Sequence, residues 1–127
     1  MSDNARHIGP ALEAHQRFLT WLIPTLEKFP RAQRFLLGDR IEGTALDVLE
    51  RLIEATYTRE RRLYLQQANL GLTKLRHLLR LAHDLRYLDA RRYEYAARAI
   101  DDTGRLVGGW MKGRTNAPPP TADAAPP

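Results

Sequence analysis

The chemistry-bearing residues are few, and their spacing excludes more than it admits. His7, His15, His77 and His83 are the only histidines. A di-metal carboxylate bundle needs a Glu three residues before a His, so that both ligands project from one helix face. The residues at those places are Asn4, Leu12, Lys74 and Arg80, and no Glu-x-x-His exists. His77 and His83 are six apart and point to different sides of a helix. The chain has no cysteine, hence no disulfide framework and no thiolate metal site. It has no phosphate-cradling loop of the P-loop kind and no G-x-S-x-G. Gly108 and Gly109 fit close packing or helix termination. We therefore expect no catalytic residue, no metal site, no cofactor and no enzyme activity.

What remains is cationic. In "LTKLRHLLRLAHDLRYL", residues 72–88, the polar arc is narrow and mostly basic. On a helical wheel Asn69, Arg76, Arg80, His83 and Tyr87 fall within about 60° of one another. Only Asp84 flanks them, so this stripe reads as uncompensated. A second stripe carries Arg91, Arg98, Arg105 and Lys112. There Glu94, Asp101 and Asp102 intervene, and Asp101 is placed to pair with Arg98 or Arg105 along the helix. Residues 1–58 hold seven Lys/Arg against eight Asp/Glu, whereas residues 59–114 hold thirteen against six. A row of unpaired arginines repels itself unless an anion or acidic surface meets it. Phosphates along a strand and carboxylates of a protein both qualify. The candidate partner and nucleic-acid site is Arg76, Arg80, His83, Arg98 and Arg105. Aromatic RNA-binding platforms are missing.

The same stretch has too much leucine for one buried side. Leu72, Leu75, Leu78, Leu79, Leu81, Ala82, Leu85 and Leu88 spread over about 200° of the wheel. A helix in an isolated four-helix bundle needs about 100–140°. Ala99, Leu106 and Trp110 add a second apolar flank on the next helix. Apolar strips on two helices of a small protein mark an interface, and self-association is the simplest partner. The candidate interface is Leu81, Leu88, Leu106 and Trp110. The alternative is a third helix covered by the other three.

These residues must ride on helices, since no sustained period-two alternation appears. The first helix is expected over Pro10–Lys28, with Pro10 at N1 and a kink or a restart at Pro24. The second runs from Pro30 to about Thr56, the third from Arg59 to Tyr87, and the fourth from Ala90 to Lys112 behind an Asp89 cap. Short connections imply an all-α, up-down-up-down four-helix bundle over 10–112. Residues 1–9 are expected to be flexible. Residues 113–127, rich in Pro and Ala, are expected to be disordered. Asp39, Asp47, Glu50 and Glu54 read as a solvated face. No apolar run approaches the ~18 residues of a membrane span. With no secretory signal pattern either, the expectation is a cytoplasmic protein without a membrane partner.

Three pieces carry a family resemblance: F-P-R at Phe29–Arg31, L-R-x-x-L-R at Leu75–Arg80, and G-R-x-x-G-x-W at Gly104–Trp110. In this order and spacing the chain resembles the accessory variability determinant proteins of diversity-generating retroelements. Bundle proteins encoded in ribosomal RNA intervening sequences form a related branch. The resemblance implies a non-catalytic accessory factor to a reverse transcriptase, built as a pentameric ring of four-helix subunits with a basic surface. It implies binding to the polymerase and to nucleic acid, RNA first and DNA second, in support of error-prone copying that diversifies a target gene. It places Arg76 and Arg80 among the partner-contacting residues. The other functional classes are an RNA-associated bundle of the ribosomal type and a purely structural helical oligomer.

Overall fold

Apolar residues at three- and four-residue steps dictate four helices, seen in a computed structural model that describes residues 9–113 and 126–127. The first, α1, spans Pro10–Leu26 and buries Leu12, His15, Phe18, Leu19, Leu22 and Leu26 along one face. Pro10 occupies its first turn, where a missing N–H costs nothing. The helix carries through Pro24 to Leu26 without restarting. Pro24 and Thr20, whose carbonyl loses its usual N–H partner to the proline, are both exposed, a position where solvent can compensate.

The second helix, α2, has three parts: α-helical Arg31–Gln33, a π-helical turn Arg34–Gly38, and α-helical Asp39–Tyr57. The π turn sets Phe35 and Leu36 outward, both exposed. The third, α3, spans Arg61–Asp84, and the fourth, α4, spans Ala90–Met111. The α2–α3 turn contains no Gly or Pro. Thr58 is extended and its hydroxyl accepts the Glu60 N–H (3.3 Å). Arg61 Nε donates to the Ala55 carbonyl (3.0 Å), capping α2, while its guanidinium lies over the Trp110 ring.

The third helix ends three residues before the expected Tyr87. Arg86 adopts the left-handed region (φ 68°). The Arg86 N–H bonds to the His83 carbonyl and the Tyr87 N–H to the Ala82 carbonyl, each at 2.9 Å. This pair of bonds closes a helix that usually ends on glycine. A non-glycine residue there costs about 1 kcal/mol. Asp89 caps α4 as expected. Its Oδ1 accepts the Arg92 backbone N–H (2.8 Å), and that bond holds its carboxyl below the usual carboxylate range.

Each helix packs against its sequence neighbours, and α1 closes the ring against α4. This is an up-down-up-down bundle, with no strand among the described residues. Leu22, Ile41, Leu52, Leu65, Leu75, Leu79 and Val107 fill the centre. The tightest approach joins α2 to α3. A Cβ on Gly71 would lie 2.6 Å from Val48 Cγ2, so glycine lets the helices meet. At one end Phe29 packs on Tyr87 (ring centres 5.8 Å apart), tying the α1–α2 turn to the α3–α4 turn. His15 is buried, with Nε2 2.8 Å from the Ala45 carbonyl oxygen. Burial pushes its imidazole below the ordinary value. Nδ1 has no partner among the described residues. The expected flexible 1–9 and disordered 113–127 fall outside the described residues, apart from Gly9, Gly113, Pro126 and Pro127. The Trp21 indole N–H donates to the Pro127 main-chain oxygen (3.2 Å). No helix among the described residues is long and apolar enough to cross a membrane.

Candidate partner-binding surface

The basic residues gather where α3 and α4 run antiparallel. Arg76 bonds across the pair to the Asp101 carboxylate of α4. About two turns further on, His83 stacks on Tyr93 (5.1 Å, 28°). These two contacts fix the register and set Arg80 opposite the turn of α4 that bears Arg98. Between the helices lies a groove of about 460 Å³, lined by Asn69, Thr73, Arg76, His77, Asp101, Gly104 and Arg105. A Cβ at Gly104 would meet nothing within 4 Å, so the groove wall is open to an incoming group.

The charges are paired differently from the expectation. The α3 stripe is partly compensated, because Asp101 reaches across to Arg76 and does not serve Arg98 or Arg105. Asp102, one residue on, binds Arg105 along the helix. Arg80 is loosely held, with Nε 3.9 Å from Asp84 Oδ2. Arg98 is exposed and makes no ion pair among the described residues. His83 Nδ1 lies 3.2 Å from Asp84 Oδ1. It lines a separate cavity at the bundle end and not the Arg76–Arg105 groove. The structure thus unites Arg76 with Arg105 along one groove, sets Arg80 and Arg98 level beside it, and turns His83 away. The exposed Arg76–Asp101 and Arg80–Asp84 pairs are worth about 0–1 kcal/mol each, so a partner can displace them cheaply.

The leucines divide as well. Leu72, Leu75 and Leu79 are buried in the core, and Leu81 is 46% exposed. Leu88 is only 4% exposed. It is packed in the chain's own core, which corrects its place on an outer margin. The helix on which its wheel angle was drawn stops at Asp84, and the turn at Arg86 swings Leu88 inward. Leu106 and Trp110 are half-buried against the core. The residues that accompany Leu81 outside are Leu63, Leu70 and Leu85, all exposed. The heptad step from Leu63 to Leu70 was the available signal. Leu70 and Leu81 also line a groove of about 870 Å³ between α2 and α3, beside Arg40, Arg51, Lys74 and His77.

Among the described residues no group of three or more His, Cys, Asp or Glu could hold a metal ion. A family model described as bAvd-like matches residues 11–114. The chain belongs to the bAvd-like family. This is the accessory variability determinant family of diversity-generating retroelements, and the match spans all three pieces of sequence on which the resemblance rests. No curated protein and no solved structure matches the bAvd-like chain. The family is one of accessory proteins.

Proposed function

We propose that this bAvd-like protein is a non-catalytic accessory of a diversity-generating retroelement. It binds the reverse transcriptase and nucleic acid, template RNA and its cDNA, and supports mutagenic retrohoming. The family match over residues 11–114 carries the reading. The α3–α4 face is its physical support. Arg80 and Arg98 project there with loose or no pairing, Arg76 is held by the exposed Asp101 carboxylate, and Arg105 by the largely covered Asp102. The polymerase is the main partner of Arg76 and Arg80, with Arg98 and Arg105 secondary and RNA engaged alongside.

The protein works as a ring-like homo-oligomer, a pentamer by family. The exposed apolar row along α3 and its C-cap, Leu63, Leu70, Leu81 and Leu85, supports an assembly in which another copy covers it. A ring would present the arginine face several times and gain avidity for an extended partner. Reconstituted reverse transcription tests the reading. Adding the protein to polymerase and template RNA should raise mutagenic cDNA yield. An unchanged yield, with no complex formed, would overturn it.

A further inference from the structure

Away from the α3–α4 groove, the α1–α2 and α3–α4 turns border an open cavity of about 470 Å³. Three cations line it: Lys28, Arg86 and Arg92. Asp89 is the one carboxylate on its wall, and His83 and Tyr87 complete its sides. The Lys28 and Arg86 side chains make no hydrogen bond or ion pair among the described residues. Arg92 spends one edge of its guanidinium on Asp89, with Nη1 2.5 Å from Oδ2. Its Nε is covered and unpartnered in this conformation.

Three features make this more than a solvated cluster. The walls carry a surplus of two positive charges, and among the described residues no ion pair to Lys28 or Arg86 offsets it. Arg86 stands in the left-handed position that glycine fills without strain, so the fold gains nothing there from an arginine side chain. The first turn of α4 opens beside the cavity and carries no acidic residue, leaving its positive end uncancelled beyond the cap.

We propose that this end cavity binds a doubly charged phosphate-class oxyanion, a phosphomonoester or free phosphate, held by Lys28 and Arg86 beside the Arg92–Asp89 pair. The surplus of two charges matches a dianion, and guanidinium forks suit phosphate oxygens. The site stands on its own geometry and does not depend on the retroelement reading.

Arg86→Gly tests it, because this change removes the charge while relieving the backbone. Inorganic phosphate is titrated into the full chain at constant ionic strength, followed by amide NMR shifts of the two turns. A 5′-phosphorylated oligonucleotide and its 5′-hydroxyl twin form the second arm. The parent should bind phosphate saturably, or bind the phosphorylated strand more tightly than its twin. The first result assigns a free anion and the second a strand end. Arg86→Gly should raise Tm and weaken that binding about tenfold or more, the scale of one charge-assisted contact. Arg59→Ala removes an equal charge at the opposite end of the bundle and should leave the affinity unchanged. Four results would each overturn the proposal: no binding in either arm, undiminished binding by Arg86→Gly, a lower Tm in Arg86→Gly, or an equal loss in Arg59→Ala.

Discussion

Replacing Gly71 by alanine adds one methyl group to the middle of α3. On helix propensity alone the change should stabilise the chain by about 0.8–1.0 kcal/mol. Its place in the fold reverses the sign. The new Cβ would stand 2.6 Å from Val48 Cγ2, and ordinary carbon contacts lie at about 3.5–4.0 Å. Val48 is fully buried and β-branched, so it holds one strongly preferred rotamer in α2. Either it leaves that rotamer or the helices part, and such overpacking costs about 1–3 kcal/mol. The net expectation is a loss of up to about 2 kcal/mol. Urea unfolding followed by circular dichroism, at fixed protein concentration, reads this as a lower midpoint with an unchanged slope. In a Val48→Ala background the clash disappears, and Gly71→Ala should then stabilise. The coupling between the two sites should be about 1–3 kcal/mol. A Gly71→Ala protein more stable than its parent would refute the close α2–α3 contact.

His15 stays neutral in the fold, since burial lowers its pKa. Its contribution is therefore whole above the unfolded imidazole value of about 6.5 and declines as pH falls below it; a His15→Leu variant should lose less stability than the parent between pH 7.5 and 5.5, and equal losses would count against this. Leu81→Asp should dissociate the oligomer in light scattering with helicity kept, whereas Leu88→Ala should cost about 2–5 kcal/mol of stability as a core truncation. Asp101→Asn frees Arg76 from its pair and should tighten binding to an acidic partner or RNA by up to about fivefold, the scale of an exposed ion pair, in a filter-binding or anisotropy titration.

Four helices and the Asp89 cap were legible because period and capping are local signals, whereas the end of α2, expected at about Thr56 and found at Tyr57, has no Gly or Pro to mark it. The end of α3 was not legible. Its stop is written by Arg86 in a conformation that sequence signals through glycine, and this one missing letter misplaced Leu88. The π turn at Arg34–Gly38 leaves no period of its own in so short a stretch. The arginine face was visible on a wheel, yet its pairing was hidden. Whether Asp101 serves Arg105 on its own helix or Arg76 on the next depends on interhelical register, which a single helix does not encode. An apolar arc drawn over residues 72–88 also leaves out Leu63 and Leu70, which extend the exposed row toward the start of α3.

The most direct measurement is the affinity of a retroelement reverse transcriptase for the assembled protein, compared between the parent and Arg76→Ala/Arg80→Ala. Both side chains are exposed, and such changes seldom cost more than about 0.5 kcal/mol each in stability. The oligomer and its helicity should therefore be unchanged. Polymerase binding should be lost while RNA affinity falls little. If RNA instead takes these arginines, its log–log salt slope should become shallower by roughly one per lost phosphate contact. A double variant that binds polymerase and RNA as the parent does would contradict the assignment of this face.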